Sequence, residues 1–395
     1  MEYRGTLLLG AVPRITVPIA HSLFRKGIPT FSAFFTTEQH PIRSRAIKRS
    51  VDLAPLQSSN SQLLDALINV IEDEDIDYLV PCNDSSLHYI LRHYDVLSEN
   101  CTVGCPAPEI LLKVLDKSIT LSFAKECAIP VPKEIPGSTS IEQIEAELAF
   151  PVAVKVKSKV DEGDFKVRYF NTIDELRDTA KSIPHFLDRY FVQEYCPGEG
   201  VGVEVLMNEG RPVMIFQHRR VAEHPRSGGV SALAISESPE PRLVDMAVRL
   251  LQALRWQGVA MVEFKHDRNT GKTVLMEVNG RYWGSLGLST ACRFDFPYIQ
   301  WALDHGVAVE IPRDYPVGVK ARWTAGVLGN LLNAFDRREE GLSFRSEVGM
   351  AISEISPAAK DMLGTMEKMG LAYVVHEYFH AHPLEFRKFA EAFRR

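Results

Sequence analysis

No CxxC pair occurs among the six cysteines (Cys82, Cys101, Cys105, Cys127, Cys196 and Cys292), which are scattered through 395 residues. That excludes a disulfide framework and points to free thiols in a reducing compartment. No apolar run approaches the roughly 20 residues needed to cross a bilayer. Met1-Glu2-Tyr3-Arg4-Gly5 lacks the apolar core of a signal peptide. A cytoplasmic protein with no membrane partner is expected. A basic field is missing too: 45 Lys and Arg stand against 51 Asp and Glu, for a net charge of −6. Nucleic acid is therefore not an expected partner, and any bound anion must be held by a local cation cluster or a metal. The stretch Gly10-Ala11-Val12-Pro13-Arg14 lacks the GxGxxG of a dinucleotide site. Gly271-Lys272-Thr273 has His266 where a P-loop needs its first glycine. Internal repeats and low-complexity segments are absent.

What is present is the balance of a soluble globular protein, 45% hydrophobic and 24% charged, long enough for two or three domains. Residues 1–105 alternate strands (6–9, 28–35, 76–80) with helices (16–26 and one around 60–71), which predicts a parallel, Rossmann-like sheet. Residues 106–190 open with helical patterns at 109–115 and 117–127 and then reach the apolar strand 151–156. Residues 191–310 read as strands at 191–195, 201–207, 212–217, 259–265 and 273–279, with a helix near 241–254. Residues 311–395 read as a mainly helical extension after a short strand near 317–323. The fold class is α/β, passing to α+β in the middle of the chain.

The chemistry concentrates in Val259–Arg281. Two strand-like runs flank a turn at 266–272, and a hairpin centred on Thr270 sets Glu263 opposite Glu277. Alternation along the second strand sends Glu277, Asn279 and Arg281 to one side, leaving Val274, Met276 and Val278 for a core. Crowded carboxylates need compensation, and a magnesium ion supplies it, since it takes hard oxygen ligands together with substrate phosphates. Arg281 beside it can stabilise a transferring phosphoryl group. The plain alternative is a solvated hairpin face. Lys155 closes a four-residue apolar strand, Lys117 starts a helix, and the strand Phe191-Val192-Gln193-Glu194-Tyr195 turns at Cys196-Pro197-Gly198, where backbone groups could meet an adenine edge.

In this order the pieces resemble the ATP-grasp superfamily. The matching stretches are Asp116-Lys117, Ile129-Pro130-Val131-Pro132, Phe150–Lys155, Val192–Tyr195, Gly258–Phe264 and Leu275–Arg281, with Ser44-Arg45 and Val80–Asp84 resembling the domain that precedes it. The likeness covers roughly residues 5–325. It is strongest to carboxylate–amine ligases related to the carbamoyl-phosphate synthetase large chain, where Arg219-Arg220, Ser227–Ser231 and Arg281–Ser285 look typical. The resemblance implies a pre-ATP-grasp domain (1–105), a lid subdomain with linking helices (106–190), a catalytic subdomain (191–310) and an extension (311–395). It also implies ATP bound by Lys117, Lys155 and Lys157, with Glu194, Tyr195 and Cys196 as the adenine hinge. Magnesium, or manganese in its place, would sit on Glu263, Glu277 and Asn279. Arg281 and Arg220 would face the reacting groups, and Arg219, Ser227, Gly228, Gly229 and Asp84 would touch substrate. Arg14, with Asp84 and the Gly228-Gly229 pair, is a candidate for shaping the second-substrate pocket, against the plain reading of a solvated arginine. The loop Lys157–Asp164 departs from the family pattern, with one glycine where members often carry several.

The implied reaction joins a carboxylate to an amine through an acyl-phosphate and releases ADP and phosphate. A bicarbonate-using carboxylase-like enzyme and an inactive nucleotide-binding regulator are the competing readings. Small-molecule acids and amines are the expected partners, with a homodimer a further expectation. His376-Glu377-Tyr378-Phe379-His380 matches HExxH, but only fifteen residues follow it, Pro383 interrupts them, and no suitable third zinc ligand appears.

Overall fold

The computed structural model describes residues 3–37, 39–135, 140–157, 165, 167–226, 228–336, 349–350, 353–354 and 359–361. The N-terminal alternation becomes β1 (Gly5–Leu9), α1 (Pro13–Phe24), β2 (Thr30–Phe34), β3 (Ser50–Asp52), α2 (Asn60–Asp73), β4 (Ile76–Pro81), α3 (Asp84–Asn100) and β5 (Thr102–Val103). These strands pair in parallel in the order β3-β2-β1-β4-β5. Every residue of β1 is buried, because helices cover both faces of a parallel sheet. Leu7 and Leu9 pack with Leu63 and Leu67 of α2, while Leu8 joins Ile15 and Ile19 of α1. α1 starts three residues before its predicted position, since Pro13 suits a first helical turn. The helix α3, not foreseen, is started by an Asn83–Ser86 capping box.

Two helices, α4 (Pro108–Leu115) and α5 (Lys117–Glu126), lead into β6 (Glu134–Ile135), α6 (Ile141–Glu147), β7 (Val152–Val156), β8 (Val167–Phe170), α7 (Ile173–Ser182), α8 (Phe186–Arg189) and β9 (Tyr190–Glu194). Four of these strands form an antiparallel sheet in the order β6-β9-β7-β8. Lys155 thus lies inside β7, paired with Val167 on one side and Phe191 on the other.

The rest of the chain builds β10 (Glu199–Asn208), β11 (Arg211–His224), β12 (Val230–Glu237), α9 (Pro241–Ala253), β13 (Gly258–His266), β14 (Thr273–Asn279), α10 (Leu286–Ala291), α11 (Phe296–Asp304), β15 (Lys320–Arg322), α12 (Thr324–Asp336) and β16 (Ala359–Asp361). Their sheet runs β14-β13-β10-β11-β12-β15-β16, antiparallel except for the last pair. Alternation along β10 sorts its side chains. Val201, Val203, Val205 and Met207 enter a core with Leu243, Met246 and Leu250 of α9. Gly200, Gly202, Glu204 and Leu206 face the opposite way. On that opposite face, Leu206, Phe216, Trp283 and Phe294 share one apolar cluster with Ile15 and Ile19, so α1 is fastened to the large sheet. Trp256, Trp283 and Trp301 are buried packing residues. Full burial of a large apolar side chain stabilises by about 1.5–3 kcal/mol.

The described part of 311–395 holds α12 but also two strands, β15 and β16, that complete the sheet. The HExxH stretch and most of the tail lie outside the described residues. Among those described, no helix is long and apolar enough to cross a membrane.

Candidate active site

The β13–β14 hairpin sets Glu263 opposite Glu277 and Met261 opposite Asn279. The pairs nearer the turn, Phe264 with Leu275 and His266 with Thr273, are centred half a residue earlier than Thr270. A bulge next to Glu263 and Met276 restores the register at the carboxylates. It also corrects the expected core face at one position: Val274 and Val278 are buried as expected, but Leu275 enters the core in place of Met276, which stays partly exposed.

Asn279 donates to Glu277 Oε1 at 3.0 Å, and Lys117 Nζ stands 3.9 Å from Glu277 Oε2. Lys117 is the first residue of α5, positioned by the Asp116 cap, whose carboxylate accepts from the Ser118 and Ile119 amides. Lys155 approaches from the four-stranded sheet. Burial and the neighbouring Lys117 pull its pKa down to about 8, with Glu277 and Glu263 partly offsetting them. Burial, opposed by Arg220 and reinforced by Glu277, pushes Glu263 above the usual carboxylate range.

Arg220 of β11 pairs with Glu263 and also reaches Glu223 Oε1 at 3.3 Å and the Gly229 carbonyl at 3.2 Å. Gly229 N–H in turn donates to Glu223 Oε2 at 3.3 Å. The Gly228–Gly229 turn is therefore tied to the arginine. Side chains do not fit there: a Cβ on Gly229 would meet the His224 carbonyl oxygen at 2.2 Å, and one on Gly228 the Tyr169 hydroxyl at 2.8 Å. Arg281, just past β14, forms a fork on Asp84 at 2.9 and 2.8 Å. Asp84 begins α3, so the parallel-sheet unit supplies the counter-charge for an arginine of the large sheet. The fork overcomes the effect of burial and holds the Arg281 pKa above its ordinary value.

Other predicted residues fall elsewhere. Arg219 is turned to the opposite face from Arg220 by strand alternation and binds Glu199 and Glu237 at 2.9 and 2.8 Å, in a network shared with Arg268. Lys157 donates to the Leu187 carbonyl at 2.8 Å. It lines a cleft of about 720 Å³ together with Lys117, Glu134 and Phe191. Glu194 meets Lys272 at 3.4 Å, Tyr195 is exposed with its ring edge-on to Tyr169, and Cys196 is buried beside Glu194. Ser227 and residues 158–164 of the glycine-poor loop lie outside the described residues.

Sequence reasoning missed Glu223, Glu204 and His218. Glu204 and His218 form a fully buried pair on the site face, with His218 Nε2 3.3 Å from the Ser285 hydroxyl. Their signal was the glycines alternating with valines on β10. A Cβ on Gly202 would lie 2.5 Å from His218 Cε1, and one on Gly200 2.9 Å from Arg220 Cδ. Glycine at both positions makes the sheet floor low enough for long polar side chains to lie across it.

Among the described residues, no three His, Cys, Asp or Glu side chains gather as a ready metal cage. Two facing carboxylates and an amide oxygen do fit a hard divalent cation whose remaining ligands are phosphate oxygens and water.

A family model described as ATP-grasp in the biosynthetic pathway with Ter operon matches residues 186–327. A putative urea carboxylase of Emericella nidulans is 22% identical over 317 residues, which are 74% of this chain and 25% of that protein. The chain thus spans a quarter of that relative's length. Among solved structures, biotin carboxylase from Campylobacter jejuni superposes with a TM-score of 0.62 at 13% identity, covering 80% of this chain and 74% of that one. An L-amino acid ligase from Bacillus licheniformis superposes with a TM-score of 0.58 at 16% identity, covering 77% and 74%.

Proposed function

We propose that this chain, which belongs to the ATP-grasp superfamily, is an ADP-forming ligase that joins a carboxylate to an amine through an acyl-phosphate. The observation that carries the reading is the register-matched pair Glu263 and Glu277, next to Asn279 and beside Lys117 and Lys155. On this reading Lys117 and Lys155 hold the nucleotide phosphates, and the backbone at Glu194–Cys196 meets the adenine. Glu263, Glu277 and Asn279 hold magnesium, or manganese, which supplies charge neutralisation on the phosphates when bound.

The substrate carboxylate attacks the γ-phosphoryl in line, and ADP leaves. Arg220 and Arg281 stabilise the charge that develops on the phosphoryl and acyl oxygens. Their partners Glu263, Glu223 and Asp84 fix both guanidiniums before substrate arrives, so little reorganisation is needed. The amine then attacks the acyl carbon, and phosphate departs with the C–O electron pair. Water must be kept from the acyl-phosphate until the amine attacks.

The likeness to an L-amino acid ligase supports amide formation. The likeness to biotin carboxylase and to a urea carboxylase supports a second reading, carboxyl-phosphate formation from bicarbonate. An ADP-release screen over amino acids, hydroxy acids and sugar acids, each paired with amines, tests the first. ADP release that needs bicarbonate and no organic acid would replace it with the second.

A further inference from the structure

Three guanidiniums converge on the site, and two of them are neutralised. Arg220 has Glu263 and Glu223, and Arg281 has Asp84. The third, Arg14, makes no hydrogen bond or ion pair among the described residues. Its Cζ lies 4.8 Å from the centre of the Trp323 ring. The backbone of Gly284 is close as well: a Cβ there would come 2.8 Å from the same Cζ. The guanidinium thus lies close to both an indole ring and a backbone stretch, and a side chain at 284 would have to displace it.

Desolvation acts first on this guanidinium, and the charged groups felt next are both cations, Arg281 and Arg220. Together they pull its pKa down to about 10. Arg14 is therefore still charged at neutral pH, and no carboxylate among the described residues balances it. Holding such a cation partly buried among other cations is costly unless an anion arrives. Arg14 is also the second residue of α1, whose N-terminus has no side-chain cap, so the positive end of that helix adds to the attraction.

We propose that Arg14 is the anchor for a spectator carboxylate, one that is bound but not activated during the reaction. This rests on the ligase reading above. The lysines that would hold the nucleotide act on Glu277 and Lys155, and neither contributes to the field at Arg14. Arg14 lies instead beside Arg281 and Arg220, the arginines assigned to the reacting groups. A planar guanidinium is suited to a two-point grip on a carboxylate. The carboxylate belongs either to an amino acid acting as nucleophile or to a dicarboxylic acid being activated at its other end. In both cases the parallel-sheet unit would choose the substrate while the large sheet performs the transfer.

The test compares the full-length wild type with Arg14→Gln and Arg14→Lys by ADP release. Each L-amino acid is offered as nucleophile in its free form and as its α-carboxamide. Succinate is compared with butyrate as the acid. Losing a charge-assisted fork should cost about 10- to 100-fold in kcat/KM for the charged member of a pair. Arg14→Gln should bring the charged-to-neutral ratio to within about threefold of unity, and Arg14→Lys should keep part of the preference. Collapse of the amino acid ratio places the carboxylate on the nucleophile, and collapse of the succinate ratio places it on the acid. A wild-type ratio that survives in Arg14→Gln overturns the proposal. If no pairing releases ADP, the ligase reading fails by itself. The anion site is then judged by calorimetric titration of succinate and glycine into wild type and Arg14→Gln. Binding lost in the variant upholds it, and equal or absent binding in both refutes it.

Discussion

Replacing Glu277 by Gln separates the catalytic role of this carboxylate from any structural one. Glu277 sits 3.9 Å from the Lys117 ammonium, an attraction of about 4 kcal/mol at an effective dielectric constant near 20. It also faces Glu263 across the hairpin. Directly opposed side chains lie about 5 Å apart, which gives a repulsion of about 3 kcal/mol on the same scale. Lys117 and Glu277 remain partly open to solvent, so screening shrinks both terms; Lys155, Arg220 and Arg281 also feel Glu277, and its charge is left net stabilising by about 1 kcal/mol. Glutamine keeps the shape and can still accept from Asn279. The melting temperature should therefore stay within about 3 °C of wild type. The rate should not. Losing one preorganised charge at a phosphoryl-transfer site costs about 10²- to 10³-fold in turnover, judged from comparable single-group removals. Differential scanning calorimetry and a coupled ADP assay, run on the same preparation, read the two effects. Turnover within threefold of wild type would sink the metal-site assignment. A fall in melting temperature of more than 5 °C would show that the carboxylate is a structural strut instead.

Lys155 should make ATP binding pH-dependent. Its folded pKa of about 8 lies below the ordinary lysine value, so it loses its charge as pH rises through 8, and the Kd for ATP should climb about tenfold per unit above that. The same depression gives the linkage sign: the free protein gains stability as pH rises from about 8 towards the unfolded value near 10.4. Arg219→Ala should change KM for ATP by less than about twofold, the usual scale for a partly exposed ion pair, whereas Arg220→Ala should abolish turnover in the same assay. His218→Ala leaves Glu204 buried without its partner and should lower stability by about 3–5 kcal/mol in chemical denaturation. Gly198→Ala should destabilise by about 2–4 kcal/mol, because Gly198 has φ +117° and its Cβ would press on the His266 backbone at 2.6 Å.

The parts of the site legible from sequence are those set by local periodicity. The pairing of Glu263 with Glu277 follows from one short hairpin. Lys117 is positioned by its own cap, and the parallel sheet follows from strand and helix patterns. The bulge at Met276 was not legible, since it answers to the fit of Leu275 in a core built by α9. Arg219 and Arg220 look equivalent as a dipeptide, and only the pairing of β11 with β10 tells which one faces the site. The fork of Arg281 on Asp84 joins residues 197 apart, and nothing local in either segment encodes it. The low floor made by Gly200 and Gly202 was visible as a pattern, but its purpose depends on what lies opposite on β11.

These long-range contacts bear on how the chain divides its labour. The large sheet alone holds Glu263, Glu277, Asn279 and Arg220, the groups suited to a metal and to phosphoryl transfer. Each residue that the parallel-sheet unit sends to the site acts next to them: Asp84 orients Arg281, and Arg14 leans on Gly284. Both contacts converge on the five-residue stretch Arg281–Ser285, which also carries the hydroxyl facing His218. A movement of α1 or α3 would therefore be felt first at Arg281, before any change in the carboxylate pair. On the proposed reading, substrate bound at the parallel-sheet unit would set Arg281, while the Glu263–Glu277 hairpin would remain as it is. Asp84→Asn should accordingly lower kcat for the ligated product more than it lowers ATP affinity, because Asn keeps one hydrogen bond to Arg281 but loses the charge. An equal loss in both would place Asp84 in nucleotide binding and remove the division of labour.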